Sequence, residues 1–115
     1  MEHNIERMTM KNNNYRKVVY TDKKMQLVLM SLNPGEDIPM EVHWNTTQFF
    51  RIESGKGMFI IGRKKIIVTD GDFIIVPAGK KHYVANISTK KLKLYTIYTP
   101  PEHKPNKVDK RQPKK

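Results

Sequence analysis

The chain has 115 residues, no cysteine and a formal net charge of +11, from 22 Lys and Arg against 11 Asp and Glu. This length favours one domain with one modest core, and the lack of cysteine excludes disulfides and thiolate metal sites. No stretch approaches the roughly 18 continuous apolar residues of a membrane-spanning helix, and the first residues lack the apolar run of a targeting signal. We therefore expect a soluble, cytoplasmic protein.

The positive charge is spread along the chain. From Glu102 onward, six basic and two acidic residues give +4 on a segment without apolar periodicity, which predicts a disordered basic tail over residues 102–115. Elsewhere the lysines form pairs at predicted turns and strand ends: Lys23-Lys24, Lys64-Lys65, Lys80-Lys81 and Lys90-Lys91. Scattered pairs of this kind are typical of solvated surface, and they disfavour nucleic acid as a partner.

The predicted elements are short and almost all β. Residues 1–14 form an N-terminal arm in which residues 5–13 can make a helical turn. Nine segments rich in Val, Ile, Phe and Tyr then follow in order: KVVYT, MQLVLMSL, MEVHW, QFFRIES, KGMFIIG, KKIIVTD, DFIIVPA, HYVANIS and KLKLYTIYT. Turn residues bound almost all of them, as in Asn33-Pro34-Gly35 and Asp70-Gly71. This spacing predicts an all-β domain over residues 15–101, folded as a sandwich or barrel.

Four polar side chains on these strands can converge. Side chains alternate along a strand, so Glu41 and His43 share one face while their neighbours take the other. Gln48 opens the next strand and can lie across from His43. His82 begins the strand that follows the Pro77 to Gly79 turn. The pattern indicates a metal site with nitrogen and oxygen donors.

Two spaced motifs carry a family resemblance. Gly35 to Gly55 reads G-x5-E-x-H-x4-Q-x6-G and is similar to the first cupin motif, in which the family usually has His, His and Glu at the three middle positions. Gly71 to Asn86 reads G-x5-P-x-G-x2-H-x3-N and resembles the second cupin motif without a departure. The resemblance covers about residues 15–100 and implies a cupin-type β-barrel, that is, a double-stranded β-helix or jelly roll.

The resemblance implies that Glu41, His43, Gln48 and His82 are metal ligands. They would hold one divalent ion, which the donor types allow to be Zn, Mn or Fe. An amide in place of an imidazole removes electron donation that would help O2 activation, so redox-neutral Lewis-acid chemistry is favoured. The ligand types resemble those of phosphomannose isomerase, and the chain resembles small mannose-6-phosphate isomerase-like cupins. A sugar or sugar phosphate is the expected substrate.

Proton-transfer candidates are few. Tyr98 lies on the last predicted strand, and His103 lies on a Pro-stiffened segment that can fold back over the barrel mouth. Both are candidate catalytic residues. An apolar lining is expected from Phe50, Met58, Ile60 and either Phe73 or Ile75.

Several functional classes stay open at this point. The sequence leans toward an isomerase-like enzyme that acts on a small-molecule substrate. A non-catalytic, metal-stabilised binding module for a small ligand is the alternative, and a metal-dependent dioxygenase is a weaker one. Small cupins commonly pair through an edge strand, so the resemblance also implies a homodimer.

Overall fold

The computed structural model describes residues 2–114 and shows one short helix followed by strands. In chain order, the elements are α1 Ile5–Lys11, β1 Arg16–Thr21, β2 Gln26–Leu32, β3 Asp37–Glu41, β4 Thr47–Ser54, β5 Gly57–Ile61, β6 Lys64–Val68, β7 Phe73–Val76, β8 His82–Asn86, β9 Leu92–Thr99 and β10 Val108–Asp109. Every pair of neighbouring strands that the structure describes is antiparallel. The all-β prediction is confirmed.

Two sheets face each other in a jelly-roll arrangement. The larger has the strand order β10-β1-β2-β9-β4-β7, and the smaller has the order β3-β8-β5-β6. Because sequential strands often lie in different sheets, the chain crosses repeatedly between the two layers. This crossing brings strands that are distant in sequence to the same end of the barrel.

The space between the sheets is filled by apolar side chains. Cross-strand neighbours share a face, so the pairing of Val28 with Thr96 and of Thr96 with Phe50 defines one inward row. Phe50 and Phe59, from opposite sheets, pack edge to face with ring centroids 4.9 Å apart. Such rows of inward residues supply most of the burial that stabilises a small β domain.

Helix α1 covers part of the outer face of the larger sheet. Asn4 caps the helix by accepting a hydrogen bond from the Arg7 amide at 2.8 Å. After the helix, the Asn12 carbonyl accepts a hydrogen bond from the ammonium of Lys93, and Asn13 accepts a second one at 2.9 Å. The predicted helical turn is confirmed, and its end is fixed to strand β9.

The C-terminal segment differs from the expected disordered tail. Strand β10 pairs with β1, and Asp109 accepts a hydrogen bond from the buried guanidinium of Arg16 at 2.7 Å. Gln112 donates to Asp37 at 2.7 Å. In the structure this segment lies against the barrel, contrary to the expectation. Strand pairing and a few side-chain hydrogen bonds hold it there, and the absence of apolar periodicity gives no sign of such contacts.

The expected apolar lining is correct at Phe50 and needs correction elsewhere. Phe73 and Ile75 are 60% and 52% exposed, and Ile74 and Val76 point inward in their place. On β5 the inward side chain is that of Phe59, which is fully buried, whereas Met58 and Ile60 are only partly buried. These segments are apolar on both faces, so alternation predicts a strand but does not fix which face is buried.

Candidate metal centre

A β-bulge directs Glu41 into the barrel. Strand β3 pairs Ile38 with Val84 and then, after a register shift, pairs Glu41 with His82. Strict alternation from the buried Ile38 would instead turn Met40 inward, and Met40 is 50% exposed. Bulges of this kind redirect a side chain, and here the bulge places a carboxylate beside the first residue of β8.

His43 follows β3 in a loop that is tied to the neighbouring loop. The carbonyl of His43 accepts a hydrogen bond from the Gly79 amide at 2.9 Å. Its imidazole lies 5.2 Å from the His82 ring and 5.8 Å from the Tyr98 ring, measured between centroids. The two loops therefore hold both histidines at the same end of the barrel.

His82 is oriented by the turn that precedes it. Gly79 has φ +85, and the Lys80 amide donates to the Pro77 carbonyl at 3.2 Å, which closes the turn. The turn leaves the carbonyl of Lys80 at 3.1 Å from Nδ1 of His82. A carbonyl can only accept, so this contact favours the tautomer of the neutral ring that has its proton on Nδ1 and a lone pair on Nε2.

Both imidazoles face one carboxylate oxygen. Oε1 of Glu41 lies 3.1 Å from Nε2 of His43 and 3.4 Å from Nε2 of His82. One potential ligand atom from each residue lies within 4.8 Å of the other two. Both Nε2 atoms are buried, and apart from these contacts with Glu41 neither has a hydrogen-bond partner within residues 2–114. The structure thus brings together three of the four predicted ligands in an arrangement that can hold a cation.

Gln48 is the fourth predicted ligand. It is the second residue of β4, pairs with Tyr98 of β9, and is 1% exposed. Its amide nitrogen donates to the Thr96 hydroxyl at 2.9 Å, and this bond fixes the amide orientation. Oε1 is then a buried acceptor without a partner within the described part of the chain. Buried polar atoms normally have hydrogen-bond partners, so this oxygen is available to a ligand.

The two predicted proton-transfer residues are in contact with each other. The hydroxyl of Tyr98 lies 3.2 Å from Nε2 of His103, and the two rings meet edge to face with centroids 5.1 Å apart. Tyr98 also meets the His43 ring edge to face. The structure therefore places this pair directly beside the histidine cluster.

Two residues of this site were missed by the sequence reasoning. Glu102 brings its Oε1 to 3.3 Å from Nδ1 of His43. Gln26 is fully buried and accepts hydrogen bonds from the amides of Glu102 and His103 at 3.2 and 3.0 Å. Gln26 could have been found from its position, because it alternates with the inward residues Val28 and Met30 on an apolar strand and is therefore expected to be a buried polar side chain. Glu102 gave no such signal.

Comparison with known proteins fixes the family. The family model described as the cupin domain matches residues 28–98. This chain belongs to the cupin domain family. The match includes Glu41, His43, Gln48 and His82, whereas Gln26, Glu102 and His103 lie outside it.

Similar proteins occur in distant organisms. This cupin is 45% identical over 114 residues to the uncharacterized protein L612 of Acanthamoeba polyphaga mimivirus, covering 96% of this chain and 71% of that protein. It is 46% identical to the uncharacterized protein YrkC of Bacillus subtilis, covering 87% of this chain and 57% of that protein. The crystal structure of BH2720 from Bacillus halodurans is 37% identical, with a TM-score of 0.94 over 96% of this chain and 89% of that one.

More distant structures share the fold alone. A proposed sugar phosphate isomerase from Acidithiobacillus ferrooxidans is 22% identical, with a TM-score of 0.61 over 68% of this chain and 51% of that one. A predicted oxalate decarboxylase from Thermotoga maritima is also 22% identical, with a TM-score of 0.65 over 69% of each chain. Within residues 2–114 of this cupin, no helix has the length and apolarity needed to cross a membrane.

The electrostatics of the cluster favour a positive charge at its centre. Burial raises the pKa of Glu41, but the imidazoles of His43 and His82 outweigh it and lower this pKa to about 2. Burial lowers the pKa of His43, but the carboxylates of Glu41 and Glu102 outweigh it and raise this pKa above its ordinary value. The ionised carboxylate therefore stabilises a positive charge beside it, which the His43 imidazolium supplies in the metal-free protein and a bound cation would supply in its place.

The proton-transfer pair is neutral near pH 7. Burial, together with the positive charges of Arg16 and Lys107, lowers the pKa of His103 to about 4. Burial and the charge of Glu41 raise the pKa of Tyr98. The hydroxyl of Tyr98 is therefore protonated, and it faces an imidazole that can accept a proton.

Proposed function

We propose that this cupin binds one divalent metal ion through Glu41, His43, Gln48 and His82 and acts on a small polar metabolite by redox-neutral chemistry. The observation that carries the proposal is a set of three buried donor atoms that have no hydrogen-bond partner within residues 2–114 other than the Glu41 carboxylate that the two imidazoles share. These atoms are Nε2 of His43, Nε2 of His82 and Oε1 of Gln48. In the tautomer of His82 that donates from Nδ1 to the Lys80 carbonyl, the Nε2 lone pair faces the Glu41 carboxylate, and a cation between them would bind to both.

The donor types fit the metal that the family implies. Two imidazole nitrogens, one carboxylate oxygen and one amide oxygen suit Zn, Mn or Fe. A bound divalent ion with one carboxylate ligand keeps net positive charge and supplies Lewis-acid polarisation of a carbonyl or hydroxyl oxygen. The neutral amide favours this redox-neutral chemistry over the dioxygenase alternative.

Tyr98 and His103 would move the proton in such a reaction. The Tyr98 hydroxyl lies at hydrogen-bond distance from a neutral His103 imidazole and beside the ring of His43. Tyr98 is 2% exposed, whereas His103 is in partial contact with solvent. A proton can therefore pass from the buried hydroxyl to the imidazole and then to water. This arrangement supports general acid-base roles for both residues.

A sugar or sugar phosphate is the proposed substrate class. The support is the ligand set of two histidines, one glutamate and one glutamine, which resembles that of phosphomannose isomerase in type. One structure with the same fold is a proposed sugar phosphate isomerase. These two likenesses make an isomerase-like reaction the leading hypothesis.

A non-catalytic binding module is the second candidate. This candidate is supported by the burial of two proposed metal ligands, because Gln48 and His82 are each only 1% exposed to solvent. Access for a ligand is from the side of Glu41, whose side chain is 32% exposed. A metal that served only to stabilise the barrel would need no larger opening.

A homodimer is also proposed. The outer face of the larger sheet carries an aromatic cluster, in which Phe49 stacks on Phe73 at 6.0 Å and meets Tyr95 at 6.3 Å. Phe73 and Ile75 are largely exposed there, on edge strand β7. Exposed apolar patches of this kind mark interaction sites. A cytoplasmic location is proposed because a chain without cysteine needs no oxidising compartment.

Two measurements test the proposal. Elemental analysis of protein purified without a histidine tag is expected to find one Zn, Mn or Fe per chain. A thermal-shift screen of the loaded protein against sugars and sugar phosphates is expected to return stabilising ligands. Products formed from a stabilising sugar would support the enzyme, whereas binding without turnover would support the module. Protein without a stoichiometric divalent metal would contradict both.

A further inference from the structure

The two histidines of the cluster are oriented in the same way. His82 has Nε2 at 3.4 Å from Oε1 of Glu41 and Nδ1 at 3.1 Å from the Lys80 carbonyl. His43 has Nε2 at 3.1 Å from the same oxygen and Nδ1 at 3.3 Å from Oε1 of Glu102. In each ring, therefore, Nδ1 faces an acceptor and Nε2 faces the centre of the cluster. The acceptor is a backbone group for His82 and a side chain for His43.

We propose that Glu102 is a positioning residue, which holds the proton of His43 on Nδ1 and thereby leaves the Nε2 lone pair free for the metal. The inference rests on the proposed metal site. An ionised carboxylate only accepts hydrogen bonds, so Glu102 favours the tautomer of His43 that donates from Nδ1. Partners of this kind fix the tautomer and ring orientation of metal-ligating histidines and raise their basicity. Glu41, at 3.1 Å from Nε2 of His43, favours the opposite tautomer until a cation takes the place of that contact.

The backbone of Glu102 is held firmly enough for this role. Oε1 of Gln26 accepts from the amides of Glu102 and His103. Nε2 of Gln26 donates to the Thr21 hydroxyl at 3.0 Å and to the His103 carbonyl at 2.8 Å. Both ends of a fully buried amide are thus used to fix the segment that carries Glu102.

A second hydrogen bond holds the same segment. The hydroxyl of Thr46 donates to the Pro100 carbonyl at 3.1 Å. Thr46 is 4% exposed and lies on the loop that also carries His43. The segment is therefore fixed to the loop whose histidine it contacts, and Glu102 does not depend on its own side-chain packing to stay in place.

The consequence is that a residue outside the family match completes the site. The matched residues end at position 98. The matched residues include the Lys80 carbonyl, which is the acceptor for Nδ1 of His82. The acceptor for Nδ1 of His43 is Glu102, which lies outside the match. Removal of this carboxylate should leave all four ligands in place and still weaken metal binding. Loss of such a partner typically costs about 10 to 100-fold in metal affinity.

The test uses the full chain with Glu102→Gln, which keeps size and removes the charge, and Glu102→Asp, which keeps the charge and shortens its reach. Glu6→Gln on the exposed side of α1 is the matched control. Co²⁺ titration of the metal-free proteins is expected to show about 10 to 100-fold weaker binding for Glu102→Gln and Glu102→Asp, and no change for Glu6→Gln. Equal affinity in all four proteins would overturn the inference.

A second readout separates orientation from folding. Long-range ¹H–¹⁵N spectra of histidine-labelled, metal-free protein at alkaline pH distinguish the two tautomers of each ring. The spectra are recorded in a Glu41→Gln background, because in metal-free protein the Glu41 carboxylate competes for the proton at Nε2. The expected result is an Nδ1–H signature for His43, and its partial or complete loss when Glu102→Gln is added. His82 should keep its Nδ1–H in every variant, because a backbone carbonyl fixes it, and it therefore serves as the internal control.

The two readouts also separate this inference from the proposed function. A parent protein that does not bind Co²⁺ would contradict the metal site, while the tautomer of His43 would still decide the role of Glu102. A parent that binds Co²⁺ while Glu102→Gln keeps both the affinity and the tautomer would overturn the inference alone.

Discussion

The imidazoles of His43 and His82 lie 5.2 Å apart, and each directs Nε2 to the same oxygen of Glu41. The Nδ1 atom of each ring faces an acceptor on the other side. This arrangement brings two imidazole nitrogens and one carboxylate oxygen within 4.8 Å of one another. We propose that a cation binds between these atoms, with the Oε1 of Gln48, which is buried and has no partner within the described residues, as a further donor.

Gln48→Glu tests whether a bound metal acts as a Lewis acid. A second carboxylate lowers the net charge on the ion, so metal affinity should rise while the ability to polarise a substrate carbonyl falls. The measurement is metal content together with product formation, using a sugar or sugar phosphate found by the thermal screen. Gln48→Ala is the control, because it removes the donor without adding charge.

A confirmed activity that stays unchanged in Gln48→Glu, with metal still bound, would contradict the Lewis-acid mechanism. A pure binding module would show tighter metal binding and no reaction to slow.

The lowered pKa of His103 predicts acid sensitivity of the metal-free protein. Burial lowers this pKa from its ordinary 6.5 to about 4, so the unfolded state binds more protons between these values. The free energy of unfolding should therefore fall as the pH is lowered from about 6.5 to about 4, with no contribution from this group above 6.5. Urea titrations at a series of pH values measure the slope.

His103→Gln should flatten that slope, because the amide does not titrate in this range. His3→Gln, in the N-terminal arm, is the matched control and should leave the slope intact. A slope of equal size in the parent and in His103→Gln would show that other groups cause the acid sensitivity.

Much of the fold and part of the site could be predicted from residue patterns. Turn residues and β-rich segments predicted the strands. Alternation predicted that Glu41 and His43 share a face, but in the structure a bulge in β3 and the loop after it bring the two side chains together. The partner of His43 could not be predicted, because Glu102 reaches it through the hydrogen bonds of Gln26. Neither residue has a periodic signal that joins them across 76 positions. Tertiary hydrogen bonds, rather than local preference, decide where this segment lies.

Two glycines with positive φ should respond differently to alanine. Gly55 has φ +108, and an added Cβ would lie 2.9 Å from the Lys91 carbonyl and 3.1 Å from Cα of Leu92. Gly62 has φ +60 and has no atom within 4 Å of such a Cβ. Both substitutions strain the backbone, at a cost of order 1–3 kcal/mol, but only Gly55→Ala adds a clash with the backbone of β9.

Denaturant unfolding is expected to show a clearly larger loss for Gly55→Ala than for Gly62→Ala. Equal losses would mean that the approach of β9 to this turn is looser than the structure describes.

The aromatic cluster on the outer face of the larger sheet predicts a surface that associates. Phe73→Glu places a charge in the middle of this patch and should convert a dimer to a monomer, because burying an unpaired carboxylate is costly. Sedimentation velocity measures the change. Ile67→Glu is the matched control, since Ile67 is 49% exposed on the other sheet and should leave the dimer intact. A monomeric parent, or a Phe73→Glu dimer, would contradict the proposed homodimer.

The most direct test of the metal centre is the metal content per chain of the parent beside His43→Ala, His82→Ala and Gln48→Ala. The proteins are purified without a tag and dialysed under identical conditions. The account predicts one Zn, Mn or Fe per parent chain, loss of most of it in each histidine variant, and a smaller loss in Gln48→Ala, because a neutral amide is the weakest of the donors. Circular dichroism confirms that each variant keeps its β structure. Stoichiometric metal in both histidine variants, or none in the parent, would contradict the account.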